Sequence, residues 1–518
     1  MTSDRKAVSA SRTRPTVDTN GKRAMVTRAN TRPMTSVTPT SSRGYRTLWR
    51  WHFYAGLFVM PFLVVLAVTG TLYCFQRQIE PLLYPHRLVV APQNVSRLSE
   101  DILLAKARAA MPPASTATAA IITTDPKRSA EFIFRLSDGE KQSVYLNPYD
   151  GSVLGTLSVE HRFMQMDRMI HRKLLLGKPG ELLMELVACW TLVMIGTGVA
   201  LWWPRDGISL RDALLPRLGL RGRPLWKSLH AALGIWLAVG ALAFVVTGLP
   251  WTGSWGKNLK SLSTSVDLGA PPRSGHALHS TPPGRRTGQS AEPDNPSVAA
   301  GPRHGSSDMD SMPGMTMDDL PLPQVPWAVG AVPVARSSDA DTAPGERWPP
   351  SRIVALARSL GLSGGYGIAL PTSPSGIYTV SYFPSDPQAE RTLFIDQYSG
   401  AILGDIRYRD YGAVSKAISY GTTLHMGRYF GVANQLLCTV ISLGLAAMAV
   451  TGCVMWWKRR PSGSLGAPSR ELPGPPMRAW AFALVLLGVV FPLMGATLVA
   501  VWLSDRLMFS RSVSPFVP

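Results

Sequence analysis

Residues 49–75 read W-R-W-H-F-Y-A-G-L-F-V-M-P-F-L-V-V-L-A-V-T-G-T-L-Y-C-F, and residues 227–251 read K-S-L-H-A-A-L-G-I-W-L-A-V-G-A-L-A-F-V-V-T-G-L-P-W. Each begins beside a basic residue, carries one histidine near its start, and then runs apolar to a Thr-Gly pair. A membrane-spanning helix needs about 20 predominantly apolar residues, and both stretches supply them. Further apolar runs at 182–203, 434–457 and 479–503 bring the number of expected spans to five. Over 518 residues only 17% are charged, against roughly 25% in an average soluble domain. A soluble enzyme is excluded. The net charge of +20 could suggest nucleic acid, but the basic residues flank the apolar runs, where membrane topology accounts for them; no nucleic-acid partner is expected.

Orientation follows from the Lys/Arg bias of the short loops. Eleven Lys/Arg precede position 51, six lie in 204–227 and five in 458–478, so these three segments are expected in the cytoplasm. The organisation read from this is a disordered basic cytoplasmic tail (1–48), a first span (49–75), an outer segment (76–165), a second span with its preceding segment (166–203), a cytoplasmic loop (204–227) and a third span (228–256). A Pro/Gly/Met/His-rich linker (257–345), a second outer segment (346–418), a fourth span with its preceding segment (419–457), a cytoplasmic loop (458–478), a fifth span (479–503) and an outer tail (504–518) complete it. The tail shows no cleavable signal, and in a bacterium the outer side is the periplasm. Cys74, Cys189, Cys438 and Cys453 lie in or beside the apolar runs with no zinc or thioredoxin spacing, so no disulfide framework is expected.

The chain is internally duplicated. His52 precedes Thr69-Gly70 by 17 and 18 residues, and His230 precedes Thr247-Gly248 by the same offsets. His171 precedes Thr197-Gly198 by 26 and 27 and Trp202-Trp203 by 31 and 32; His425 stands in the same relation to Thr451-Gly452 and Trp456-Trp457. The outer segments repeat too: V-Y-L-N-P-Y-D-G-S-V-L-G from Val144 matches L-F-I-D-Q-Y-S-G-A-I-L-G from Leu393, each a strand, a Gly turn and a second strand. Helical stretches at 98–111 and 350–360 precede strand-like runs at 121–124, 131–136 and 377–383. The fold expected is an integral membrane helical bundle, four core helices in two repeats plus a fifth C-terminal helix, with two small periplasmic α+β domains.

The His-to-Thr-Gly helices, the closing Trp-Trp pairs and the two hairpins resemble the PepSY-associated transmembrane-helix family, which includes iron-regulated inner-membrane proteins and ferric-siderophore reductases. The resemblance covers roughly residues 49–205 and 226–460. It implies PepSY-like outer domains and, for reductase-type members, haem b held between the helices by membrane histidines, probed here at His52, His171, His230 and His425. His52 and His230 both begin helices running outward and so share an inner level; His171 and His425 both precede helices running inward and share an outer one. Two imidazoles facing across a pseudo-two-fold axis suit six-coordinate haem iron, so two haems at two depths are expected. At about 1.5 Å per residue, 18 residues put Gly70 and Gly248 roughly 27 Å from their histidines, and each glycine is expected to border a porphyrin. His161 competes with His171 but has no counterpart in the second half. Close helix packing by Gly and Thr is the plainer alternative.

Trp202, Trp203, Trp456 and Trp457 fit an interfacial belt, and Asn147, Asp150 and Asp396 fit turn chemistry. His276, His279, His304, Met309, Met312, Met315 and Met317 in the linker offer donors that suit copper. No dinucleotide-binding glycine motif occurs in a strand-loop-helix context, so electrons are expected from quinol or a separate donor; the resemblance implies a periplasmic ferric-siderophore or related metal complex as acceptor. The competing functions are a non-enzymatic PepSY scaffold or regulator, a copper-handling membrane protein, and a transporter, the last motivated only by the repeat.

Overall fold

The computed structural model describes residues 44–204, 209–271, 316–322, 324–335, 346–463, 466 and 477–509. The first half comprises α1 (Tyr45–Cys74), α2 (Gln76–Leu83), α3 (Pro85–Leu88), α4 (Glu100–Ala109), β1 (Thr116–Ile122), β2 (Ala130–Arg135), β3 (Lys141–Leu146), β4 (Val153–Ser158), α5 (Phe163–Lys173) and α6 (Gly177–Trp202). The second comprises α7 (Leu210–Leu214), α8 (Arg223–Gly248), α9 (Trp255–Ser265), α10 (Pro350–Ser359), β5 (Tyr366–Ala369), β6 (Ile377–Tyr382), β7 (Arg391–Asp396), β8 (Ile402–Arg407), α11 (Ala413–His425) and α12 (Val432–Arg459). It is followed by α13 (Arg478–Val490) and α14 (Pro492–Phe509).

Among the described residues, four helices are long and apolar enough to cross a membrane: α1, α6, α8 with its extension to Trp251, and α12. The chain is a multi-pass membrane protein. Small residues set the helix spacing, as expected where lipid removes the hydrophobic drive between helices. Ala55 and Val59 of α1 are fully buried against α6 residues Val187, Trp190 and Val193. Between α8 and α12, a Cβ added to Gly240 would stand 2.9 Å from Ile441, and one added to Gly444 would stand 2.7 Å from Leu237.

The outer segments differ from expectation in one respect. Instead of two separate α+β domains they form one eight-stranded antiparallel sheet, in the order β4-β3-β2-β1-β5-β6-β7-β8. The halves join where Ala119–Ile122 of β1 pair with Tyr366–Ala369 of β5. Each half alone would leave β1 or β5 as an open edge; joining them satisfies both rows of backbone groups. Helices α4 and α10 cover one face through Leu103, Leu104, Ile353 and Val354, and the Ser351 N–H donates to Asp101 at 2.9 Å. The sheet is tied to α5 by Arg162, whose guanidinium meets Glu131 of β2 at 2.6 Å and the Ser143 hydroxyl at 2.7 Å.

The segment expected as a linker is partly folded. Residues 257–265 belong to α9, and 316–335, with 323 outside the description, pack on the sheet. Trp327 is buried with its Nε1 donating to the Pro250 carbonyl at 2.9 Å, and Lys260 pairs with Asp318 at 3.0 Å. Aromatic burial and an ion pair hold this part, which composition alone reads as unstructured.

The expected fifth span is broken at Phe491–Pro492. Proline cannot continue the ladder of the preceding helix and disfavours helical backbone in the residue before it; Phe491 accordingly leaves the helix at φ −122 and ψ 85. A Cβ added to Gly495 would lie 2.6 Å from the Gly488 carbonyl oxygen, whereas residues seven apart on one straight helix are separated by about 10 Å along the axis. Helices α13 and α14 therefore form a hairpin, pinned by Trp255 Nε1 to the Val490 carbonyl (2.9 Å) and Trp190 Nε1 to Thr497 (3.0 Å). Met477 lies against Gly44, so α13 starts at the end of the bundle where α1 starts, and α14 returns towards it. The stretch expected as one fifth span is thus two antiparallel helices.

One pH response follows from the sheet. Asp405 accepts from Arg391 Nε and Nη2, both at 2.7 Å, and from Arg407 Nη2 at 2.6 Å. Burial pushes its acid up, but the two arginines outweigh it and hold the carboxyl at about 2, below the ordinary 3.8. A depressed folded-state value adds stability that is complete above the unfolded value and is lost as pH falls from about 4 to 2. Thermal unfolding of the wild type should weaken through that window. Asp405→Asn should show a smaller acid-induced drop, and an equal drop in both would remove the assignment.

Candidate functional site

Each of the four duplicated histidines leans on a Thr-Gly pair of a neighbouring helix in its own half. The His52 Nδ1 of α1 lies 3.1 Å from the Thr197 hydroxyl of α6, and the His171 Nδ1 of α5 lies 2.8 Å from Thr69 of α1. In the second half, His230 of α8 meets Thr451 of α12 at 2.8 Å, and His425 of α11 meets Thr247 of α8 at 2.8 Å. The equal sequence offsets thus become a reciprocal contact, made once at each end of each half. The glycine after each threonine receives the edge of the ring. A Cβ added to Gly70 or Gly198 would stand 3.2 Å from the Cε1 of His171 or His52, and the corresponding separations at Gly248 and Gly452 are 3.5 and 3.6 Å. Each of these glycines thus leaves space that a side chain would take from the imidazole edge.

The threonines also select a tautomer. Thr69, Thr197 and Thr247 donate their hydroxyl protons to the carbonyls of Val65, Val193 and Ala243 at 2.7, 2.6 and 2.6 Å, and Thr451 donates to Met448 at 3.0 Å. With its proton engaged on its own helix, each hydroxyl can only accept from the imidazole, so Nδ1 carries the hydrogen. Nε2 then keeps its lone pair, the form a metal ligand needs. Thr69→Val keeps the shape and removes this acceptor. Were His171 to hold a metal group, this change should weaken that hold by 10- to 100-fold, the range typical of outer-shell partners, read as reduced retention of the group against a competing acceptor. Gly70→Val should do the same by displacing the ring. Retention equal to wild type in both would refute the positioning role.

The two halves bring histidines together in pairs. His52 and His230 have ring centres 6.3 Å apart with planes at 83°. His171 and His425 lie within electrostatic range of each other, and His425 packs against Phe244 at 5.1 Å. Among the described residues no cluster of three His, Cys, Asp or Glu side chains is placed to hold a metal ion. His161 is at the surface, bonded to Ser158 at 3.0 Å and facing Glu140 at 3.8 Å, far in function from the pairs. The break between α5 and α6 is made by Leu174, Leu175 and Gly177, all at positive φ; it lets α5 carry His171 to the bundle before α6 enters it.

Of the linker donors, His276, His279, His304, Met309, Met312 and Met315 lie outside the described residues. Met317 is fully buried among Ala328, Val329, Ile377 and Phe394, a packed position. Asn147, Asp150 and Asp396 close their hairpin turns onto backbone N–H groups of Tyr149, Ser152 and Tyr398. Arg460 stacks on Trp457 at 4.0 Å, as in a membrane-interface belt.

Two features escaped the sequence reading. Glu185 is a carboxylate inside the apolar run 182–203, 2% exposed. Its Oε2 accepts from the N–H groups of Ser254 and Trp255 at 2.9 and 3.1 Å, capping the first turn of α9 as acceptors at helix starts do. A charge inside an apolar run was the available signal. Arg172 and Arg428 stand one and three residues beyond site histidines, and the fold ties them to the Trp251 carbonyl and to Gln324.

The sequence profile of the PepSY-associated TM region matches residues 49–459. The chain belongs to that family of membrane proteins. No curated protein matches the chain.

Proposed function

We propose that this chain is a haem-bearing electron-transfer protein of the bacterial inner membrane, with cytoplasmic Lys/Arg-rich loops and a periplasmic sheet, that reduces ferric-siderophores or related metal complexes with electrons from quinol or a separate donor. The observation that carries the reading is the His52–His230 pair; His171 and His425 occupy the matching positions of the duplicated unit at its other end. A metal sits about 2 Å from a ligating imidazole nitrogen, so two rings on opposite faces of one ion have centres roughly 6 Å apart, consistent with the 6.3 Å separation. A pair of imidazoles would suit a metal group that supplies its remaining donors itself. His52 and His230 would hold one haem b and His171 and His425 the other, each supplying one-electron chemistry when bound.

The chain's own residues do the rest. The four threonines fix the tautomer, the four glycines admit the rings, and the apolar faces of α1, α6, α8 and α12 keep water from the path. Were a histidine pair to hold each haem iron, the substrate would exchange electrons without binding the metal, and it would approach from the sheet side, near His171 and His425. Hard oxygen donors of a siderophore hold Fe(II) less tightly than Fe(III), so a one-electron reduction frees the ion.

Purified protein, reduced chemically and kept anaerobic, should be reoxidised by a ferric-siderophore, with Fe(II) appearing in a chelator trap. If a broad panel of ferric-siderophores and Cu(II) leaves the reduced spectrum unchanged, the reductase reading fails and a regulatory scaffold replaces it.

A further inference from the structure

We propose that the segment 209–223 is an interfacial anchor, its leucines set among lipid acyl chains and its arginines on anionic phospholipid headgroups. The segment comprises α7 and the turn that leads into α8. It lies at the end of the bundle that carries His52, since Trp202, four residues beyond the Gly198 that receives His52, reaches it. Two indoles hold it there: Trp202 Nε1 of α6 donates to the Ala213 carbonyl at 2.9 Å, and Trp236 Nε1 of α8 donates to the Leu214 carbonyl at 3.1 Å. Both carbonyls belong to the last turn of α7, where a helix has no partner of its own to offer. The Asp212 N–H donates to the Ser209 hydroxyl at 3.1 Å, and the Arg217 N–H donates to the Ser228 hydroxyl at 2.7 Å. Water would satisfy such groups on an exposed loop, whereas backbone groups at membrane depth must find their partners within the protein.

The depth of the segment follows from α8. From Arg223 to Trp251 the apolar helix runs 29 residues, about 43 Å at 1.5 Å per residue, against a hydrocarbon core of roughly 30 Å. The two polar ends together therefore take up only about 13 Å. Trp236 stands about 20 Å beyond the start of α8, inside the core however that excess is divided, and its indole bonds Leu214. The segment thus lies beside the hydrocarbon boundary. Leu210, Leu215 and Leu218 are 56, 54 and 69% exposed, an apolar patch that acyl chains at this depth would cover. Arg211, Arg217, Arg221 and Arg223 are exposed among them. The one acid of the segment, Asp212, already accepts from the Ser209 hydroxyl at 2.7 Å. Four guanidinium groups at a membrane boundary attract anionic headgroups and can pair with a phosphate through two parallel N–H bonds. The alternation of leucine and arginine at one depth matches a lipid surface, which presents apolar chains and charged headgroups side by side.

The full chain in nanodiscs of mixed phosphatidylglycerol and phosphatidylcholine tests the anchor independently of the haem reading. An environment-sensitive fluorophore is placed at Leu218→Cys and, as a water-exposed control, at Asp138→Cys in the turn between β2 and β3, with the signal of the labelled unsubstituted chain subtracted. Lipids brominated along the acyl chain should quench the probe at 218 at least about threefold more than the probe at 138. The ratio of phosphatidylglycerol to phosphatidylcholine retained per polypeptide after mild extraction is read by mass spectrometry. It should fall at least about threefold in Arg211→Gln/Arg217→Gln/Arg221→Gln, recover in the matching triple Lys variant and keep the wild-type value in Arg352→Gln, on α10. Equal quenching at 218 and 138, in protein with the wild-type thermal midpoint, would overturn the anchor. So would a lipid ratio that the triple Gln variant leaves unchanged, since the leucines alone would then account for the contact. A probe at 218 shielded from both bromine and water in a dimeric fraction would give the face to a second copy of the chain and likewise overturn the proposal.

Discussion

Alanine at His52 or His230 is expected to remove one of two haem components and leave the other, while alanine at His171 or His425 removes the complementary one. Haem per polypeptide, measured as the pyridine haemochrome, should fall to about half in each single variant, because a site left with one histidine would hold its haem far less tightly. The expectation rests on two features that act together. The rings of His52 and His230 are 6.3 Å apart across the repeat axis, and each ring is oriented by a threonine that remains in place when its partner is replaced. Variants of one pair should therefore share a spectrum, and variants of different pairs should differ. Haem content and redox behaviour unchanged in all four would refute the assignment.

A reporter fused after the last residue should fall in the same compartment as one at residue 215 and opposite to one at residue 140. Five full spans would place the C-terminus with residue 140. The hairpin reverses that outcome, since α13 has 13 residues, about 20 Å of helix, short of the roughly 30 Å hydrocarbon core. The reversal at Phe491–Pro492 is locked by Gly488 against Gly495 and by the indoles of Trp190 and Trp255. A C-terminal reporter that follows residue 140 would restore the single span. Reporters at 140 and 215 in one compartment would defeat the whole topology.

The depth of the histidines was legible in the chain because a helix advances a fixed distance per residue. Offsets of 17 and 18 in two helices therefore place two Thr-Gly pairs at one level, and offsets of 26 and 27 return two others to the opposite level. The hairpins at Val144 and Leu393, helices α4 and α10, and four of the membrane helices were legible for the same reason: each is encoded by local periodicity or turn chemistry.

What joins elements distant in sequence was not legible. The pairing of β1 with β5 depends on two edges more than two hundred residues apart, and β5 is a four-residue strand containing Gly367, too short to announce itself. Pro492 stood in the sequence as a break, but the continuous apolar character around it favoured one long helix; only the contact of Gly488 with Gly495 selects the hairpin. Met317 carries a side chain equally suited to a metal or a core, and its burial beside Phe394 decides for packing. Thr-Gly was recognised as a motif, yet the use of the glycine to admit an imidazole and of the threonine to orient it required the neighbouring helix. Sequence alone determined which residues share a depth in the bundle, because that is set along one helix axis; which residues touch was decided by tertiary packing, because it depends on the approach and rotation of several helices at once.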